Sequence, residues 1–330
     1  MLCANCNGHD PQAKGTQTCR AAGADFVRLT IATESFGMPP AMHTPLSPHR
    51  SATAGGRSLW LFATLWSLRQ YPTQRREWSR AKKFSAIRAA GFDGVFSPPL
   101  PWLAERGDLR YLAVTSLDSA AQVEKPIREA KTLGAVAIDV QLCDYDTPIP
   151  AAIKVALRIR DVARDCGLPF AIETHRDTIT ETPEKTLALA KAYRAIAKET
   201  MPCCLDHSHF AVVRHLTPGR FWEYLREPER LLRAATQFHL RPFNGHHCQI
   251  PVLSPSGRRT PEYQDWLVYA ESLLRNLRAQ PRNDPVLAVP ELGHAAPSYG
   301  LSCFPDTWRD TTTVGRDLRR IWKESAIAEA

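Results

Sequence analysis

From Arg57 onward the sequence predicts a (β/α)8 barrel, and three observations carry that expectation. Eight short runs are apolar nearly throughout instead of alternating, the pattern of parallel strands covered on both faces. Helical stretches of one to two dozen residues separate them. Eight such units in about 270 residues match the size of one barrel. Finally, residues able to bind a metal close each of the last four runs.

The first run, LWLFATLWS (59–67), carries Trp60, Phe62 and Trp66. Phe62 is expected to pack the core, and Trp66, nearer the C-terminal end, to face a pocket. EWSRAKKFSAIRAAG then reads as a helix with Gly91 as its stop, followed by the runs GVFSPP (94–99), YLAVTSL (111–117) and AVAIDVQLC (135–143). AAIKVALRIRDVARDCG is a second helix stopping at Gly167, before PFAIETH (169–175). TPEKTLALAKAYRAIAKE opens on a Thr-Pro-Glu start signal and leads to PCCLDHS (202–208) and TQFHLRP (236–242). RTPEYQDWLVYAESLLRN is amphipathic, with Trp266, Tyr269 and Leu273 on its buried face, and VLAVPEL (286–292) is the eighth run. A doubly wound open sheet is the competing architecture, but no glycine-rich loop follows the first strand.

Residues 1–56 form the other segment, an irregular N-terminal extension without sustained periodicity. The part from Met38 to Gly56 is rich in Pro, Ser, Thr, His and Gly, as flexible segments are, while DFVRLTIAT (25–33) could supply one strand. Cys3 and Cys6 have the spacing of a metal knuckle with Cys19 and His9 nearby, but no second CxxC completes it.

With 44% hydrophobic and 23% charged residues the chain is neither globally disordered nor membrane-embedded. Its longest apolar stretch, Leu59–Trp66, is too short to span a bilayer. The start lacks the pattern of a secretory leader, so a soluble cytoplasmic protein is expected. The net charge of +8 comes from basic residues interspersed with acidic ones, a solvated mixed surface that does not single out nucleic acid as partner. An odd count of nine cysteines argues against a disulfide framework.

The chemistry is expected at Glu173, Asp206, His239 and Glu291, near the C-terminal ends of the fifth to eighth runs. A barrel gathers such residues onto one rim, where active sites of this architecture are built. Each alone has a plain explanation as a helix cap or a satisfied core histidine. Together, three carboxylates and one imidazole form a hard-to-borderline donor set suited to Mn²⁺, with Mg²⁺, Co²⁺ or Zn²⁺ also admissible. Without a cation, burying three carboxylates together would cost several kcal/mol.

The order Glu, Asp-x-x-His, His, Glu over the last four strands resembles the xylose isomerase-like TIM-barrel superfamily of sugar and sugar-phosphate isomerases and epimerases, inosose dehydratases and the endonuclease IV branch. The resemblance covers roughly residues 57–325 in architecture and 170–295 in motifs. It implies that Glu173, Asp206, His239 and Glu291 hold the metal, with Glu173 and Glu291 also acting as acid and base on opposite faces of a sugar. His209, the last residue of DHSH, matches a substrate-binding histidine, and Arg241 takes the place of the substrate-binding arginine at a different spacing. His175 and Trp66 are further substrate contacts, whereas His246 and His247 read as a solvated loop or a second metal site. The expected activity is sugar isomerisation or epimerisation, with a small sugar or polyol as partner and a homo-oligomer compatible with it. Metal-dependent DNA repair is the first rival, and it would need histidines at the ends of the second and third strands, which read GVFSPP and LAVTSL. A non-catalytic metal-binding barrel is the second.

Overall fold

A computed structural model of the chain describes residues 57–327 except 228, 294–303 and 305. The expected extension at 1–56, its strand at 25–33 and its cysteine knuckle lie outside the described residues. Eight strands follow one another in order, β1 (Leu59–Thr64), β2 (Gly94–Ser97), β3 (Arg110–Leu117), β4 (Ala135–Leu142), β5 (Phe170–Glu173), β6 (Cys203–Asp206), β7 (Gln237–His239) and β8 (Val286–Val289). Each pairs in parallel with the next, and β8 returns to β1, where Leu59 faces Val286, so the sheet is a closed barrel. The predicted (β/α)8 architecture is what the chain adopts.

The helices are α1 (Arg80–Ala89), α2 (Glu124–Thr132), α3 (Ile149–Asp165), α4 (Pro183–Ala197), α5 (His207–Val213), α6 (Phe221–Leu225), α7 (Glu229–Ala234), α8 (Pro261–Ala279) and α9 (Thr307–Ile327). Their ends follow the sequence signals. Gly91 and Gly167 leave α1 and α3 with φ of +80° and +58°, a left-handed turn that a side chain would strain. Thr182 caps α4 by accepting from the Lys185 N–H at 3.2 Å, with Pro183 in the first turn. The face of α8 carrying Trp266, Tyr269 and Leu273 is buried, as its amphipathic pattern requires.

Two layers of apolar side chains hold the fold. The larger lies between the barrel wall and the helices, and includes Leu61, Val95, Ile138, Ile172, Leu205 and Phe238. The smaller fills the barrel itself and is built from Phe62, Phe96, Leu112, Val114, Ala137, Leu287 and Val289. These interior residues come from β1 to β4 and β8, while β5 to β7 place Glu173, Cys204, Asp206 and His239 at buried positions. No described helix is long and apolar enough to cross a membrane.

Candidate functional site

Three of the four expected ligands are the last residues of their strands. Glu173 ends β5, Asp206 ends β6 and His239 ends β7, with Asp206 and His239 directly paired in register. Glu291 stands two residues beyond β8. All four are buried, and one ligand atom from each lies within 4.8 Å of those of the others.

Local hydrogen bonds fix the backbone beneath them. Thr174 Oγ1 accepts from the Asp206 N–H at 2.8 Å, tying β5 to β6, while Thr180 donates to the Glu173 carbonyl at 2.5 Å. Asp206 Oδ1 caps α5 by accepting from the Ser208 N–H at 2.9 Å, so its role as a cap and its place in the cluster coexist. Beyond Glu291, the Gln249 amide pairs with Gly293 in both directions at 2.8 and 3.1 Å, and Ser67 donates to the Leu292 carbonyl at 2.5 Å.

His239 sits at the centre. Its Nδ1 lies 2.9 Å from Glu173 Oε1 and 3.0 Å from Glu291 Oε2, and its Nε2 lies 3.3 Å from Asp139 Oδ2. These approaches do not have hydrogen-bond geometry, and both Glu173 oxygens, both His239 ring nitrogens and Glu291 Oε2 remain buried without a hydrogen-bond partner. Such orphaned groups are costly unless something satisfies them. Three carboxylates and an imidazole converging with unused lone pairs fit a divalent cation of hard to borderline character, and the residues here therefore fit the metal that the resemblance implies.

The electrostatics separate the two glutamates. Burial, reinforced by Asp139, pushes the Glu173 carboxyl upward in pKa. Burial also opposes ionisation at Glu291, but Arg241 and His239 outweigh it and hold that carboxyl well below the usual range. Asp206 is likewise lowered against its burial, by Arg241 and His209. Arg241 is fully buried, with Nη2 bonded to Asp206 Oδ2 and 3.6 Å from Glu291 Oε2. His209 Nε2 is 3.1 Å from the same nitrogen and 3.3 Å from Asp206 Oδ2. His175 meets the His209 ring at 4.8 Å, and burial lowers its pKa. Both expected substrate-contact histidines and Arg241 are thus gathered at the cluster.

Other expectations resolve differently. Trp66 is not on β1, which ends at Thr64, but in the 3-10 turn Leu65–Leu68 that follows it. From there its ring contacts Phe96 at 5.2 Å, and Phe96 contacts the His239 ring at 5.0 Å. Phe62 packs the barrel interior, as expected. His246 and His247 are exposed, with their N–H groups donated to Asn244 Oδ1, and they belong to no candidate metal cluster among the described residues. His207, the second residue of DHSH, points away from the cluster to the Tyr269 hydroxyl, and burial lowers its pKa to about 4. Asp139 was not among the expected residues; its only signal is one acidic residue inside the apolar run AVAIDVQLC.

No family model matches the chain, and no curated protein does. Solved structures do match. An L-ribulose 3-epimerase is similar at 11% identity with a TM-score of 0.55, over 83% of this chain and 98% of that one. A D-tagatose 3-epimerase-like protein is similar at 14% identity with a TM-score of 0.51, over 81% of this chain and 99% of that one. The chain shares the barrel fold of these two proteins. In this barrel the ends of β2 and β3 are Ser97 and Leu117, where the repair reading requires histidines.

Proposed function

We propose that the protein is a metal-dependent isomerase or epimerase of a sugar, sugar phosphate or related polyol, working by proton abstraction α to a carbonyl. The observation that carries this reading is the pair of buried glutamates, Glu173 and Glu291, reaching the same His239 nitrogen at 2.9 and 3.0 Å from strands separated by β6 and β7. A protein that only binds a cation has no need for two acid–base candidates in unlike environments. The coarser statement, an enzyme acting on sugars, also draws support from the fold shared with the two 3-epimerase-type barrels.

A divalent cation held by Glu173, Asp206, His239 and Glu291, with Mn²⁺ the best match to this donor set, supplies Lewis-acid polarisation of the substrate carbonyl. The chain does the rest. Glu291, kept ionised by Arg241 and His239, accepts the proton from the carbon α to the carbonyl, and the substrate becomes an enediolate. Glu173, whose carboxyl burial beside Asp139 shifts upward in pKa, is the acid that returns a proton to the opposite face of that carbon. Return to the same carbon is epimerisation, and return to the neighbouring carbon is aldose–ketose isomerisation. Arg241, His209 and His175 line one side as hydrogen-bonding groups for substrate oxygens, and Trp66 with Phe96 forms the apolar wall.

Elemental analysis of the purified chain, combined with a screen of ketoses, aldoses, inososes and their phosphates for exchange of carbon-bound hydrogen with solvent, tests the proposal. Metal-dependent exchange is expected on at least one of them, falling by about 10²–10⁴-fold in Glu291→Gln and unchanged in Glu262→Gln, which alters an exposed residue of α8. Bound metal without exchange on any polyol-derived substrate would leave the non-catalytic barrel as the better reading.

A further inference from the structure

The interior of the barrel holds a carboxylate that the mechanism above does not use as ligand, acid or base. Asp139 lies in the middle of β4, in register with Ala171 of β5, two residues below Glu173. It is fully buried, and neither of its oxygens has a hydrogen-bond partner. Its neighbours along the strand, Ile138 and Val140, are apolar and equally buried. A third aliphatic residue would fill the position without the several kcal/mol that an uncompensated buried carboxylate costs.

What Asp139 faces is the far side of His239. The imidazole turns Nδ1 toward Glu173 and Glu291 and Nε2 toward Asp139 Oδ2 at 3.3 Å. A neutral imidazole carries its hydrogen on one nitrogen and a lone pair on the other, and the partner of the first decides which. With Nδ1 turned to the cluster, the other groups on the Nε2 side are weak rivals for that role. Cys204 shares a cluster with Asp139 and His239 but offers only a thiol, and Phe96 presents an aromatic edge at 5.0 Å.

We propose that Asp139 is the positioning residue for His239: a slight turn of the ring from its 3.3 Å approach lets Oδ2 accept the Nε2 hydrogen, which locks the ring and so presents the Nδ1 lone pair to the cluster above. Histidines that ligate metals generally donate their other N–H to such a partner, and loss of the partner typically weakens metal binding by about 10–100-fold. The inference rests on the reading of Glu173, Asp206, His239 and Glu291 as a cation site, but part of its test needs no cation.

The full chain, labelled with ¹⁵N-histidine and free of metal, is compared with Asp139→Asn and Asp139→Leu by NMR, thermal melting and calorimetric titration with Mn²⁺. The wild type is expected to show a downfield, slowly exchanging Nε2 hydrogen on His239. Asp139→Asn keeps it, since the amide oxygen accepts the same hydrogen, and Asp139→Leu loses it. The leucine variant is also expected to bind Mn²⁺ about 10–100-fold more weakly. An unchanged Nε2 resonance in Asp139→Leu, or unchanged Mn²⁺ affinity in both variants, overturns the proposal. If the wild type binds no Mn²⁺, the cation reading fails, and the Nε2 resonance decides the role of Asp139 alone. Should the leucine variant not fold, Asp139→Ala carries the same comparison.

Discussion

The two halves of the barrel rim are built from opposite materials. The strands β1 to β4 end in Thr64, Ser97, Leu117 and Leu142, and below them the interior is apolar, with Phe62, Phe96, Leu112, Val114 and Ala137. The strands β5 to β7 end in Glu173, Asp206 and His239, with Glu291 just past β8, and Arg241 and His209 close over them. Shape comes from the first half and charge from the second. The meeting point is the His239 ring, with the Phe96 edge 5.0 Å away on one side and Glu173 and Glu291 on the other. A low-dielectric wall beside a cluster of ionised groups strengthens every electrostatic interaction in that cluster, which is how one half of the rim serves the other.

Breaking the charged half should have the largest effect. Arg241 is the buried counterion of Asp206 and Glu291, and its removal leaves two carboxylates ionised without it. Arg241→Met is expected to destabilise the metal-free protein by about 3–5 kcal/mol at pH 7, with part of the loss recovered on adding Mn²⁺. Denaturant melts with and without the ion check this; equal losses in both would break the link between Arg241 and the cluster.

A smaller effect is expected where α9 secures the loop after β7. Asp310 accepts from the Val252 and Leu253 N–H groups, both at 3.1 Å, and burial raises its carboxyl from 3.8 to about 6 despite those bonds. The folded chain therefore binds more protons than the unfolded chain across that window, so stability falls as pH rises from about 4 to 6, on the order of 2 kcal/mol. Asp310→Asn should flatten this dependence in melts recorded between those pH values.

The apolar half should give the smallest change. Trp66→Ala removes an edge contact to Phe96 worth about 0.5–1.5 kcal/mol. The expected outcome is a KM raised about two- to tenfold for the sugar that supports exchange, with kcat held within about twofold. A fall in kcat alone would move Trp66 from the wall into the chemistry.

The same division explains what could be read from the sequence. Parallel strands covered on both faces are apolar throughout, so a carboxylate or imidazole at their ends stands out, and Glu173, Asp206 and His239 are strand-terminal residues. The eight runs are all strands, though β1 stops at Thr64, since side-chain apolarity continues into the turn that follows, and β7 stops at His239, ahead of Pro242. Asp139 was illegible because one acid inside a strand has no periodicity to mark its direction, and only closure of the barrel places it under His239. The full burial of Arg241 and the clasp of Gln249 on Gly293 depend on a long loop folding back over the rim, which local patterns do not encode. The short helices α6 and α7 likewise lack a span long enough to show a period.

The central claim is that four strand-end side chains hold one divalent cation. Calorimetric titration of the chelator-stripped full chain with Mn²⁺ tests it most directly. One ion per chain is predicted, lost in His239→Ala and retained when the exposed pair His246 and His247 is changed to alanine. No binding by the wild type, or binding that survives His239→Ala and disappears with His246 and His247, would contradict it.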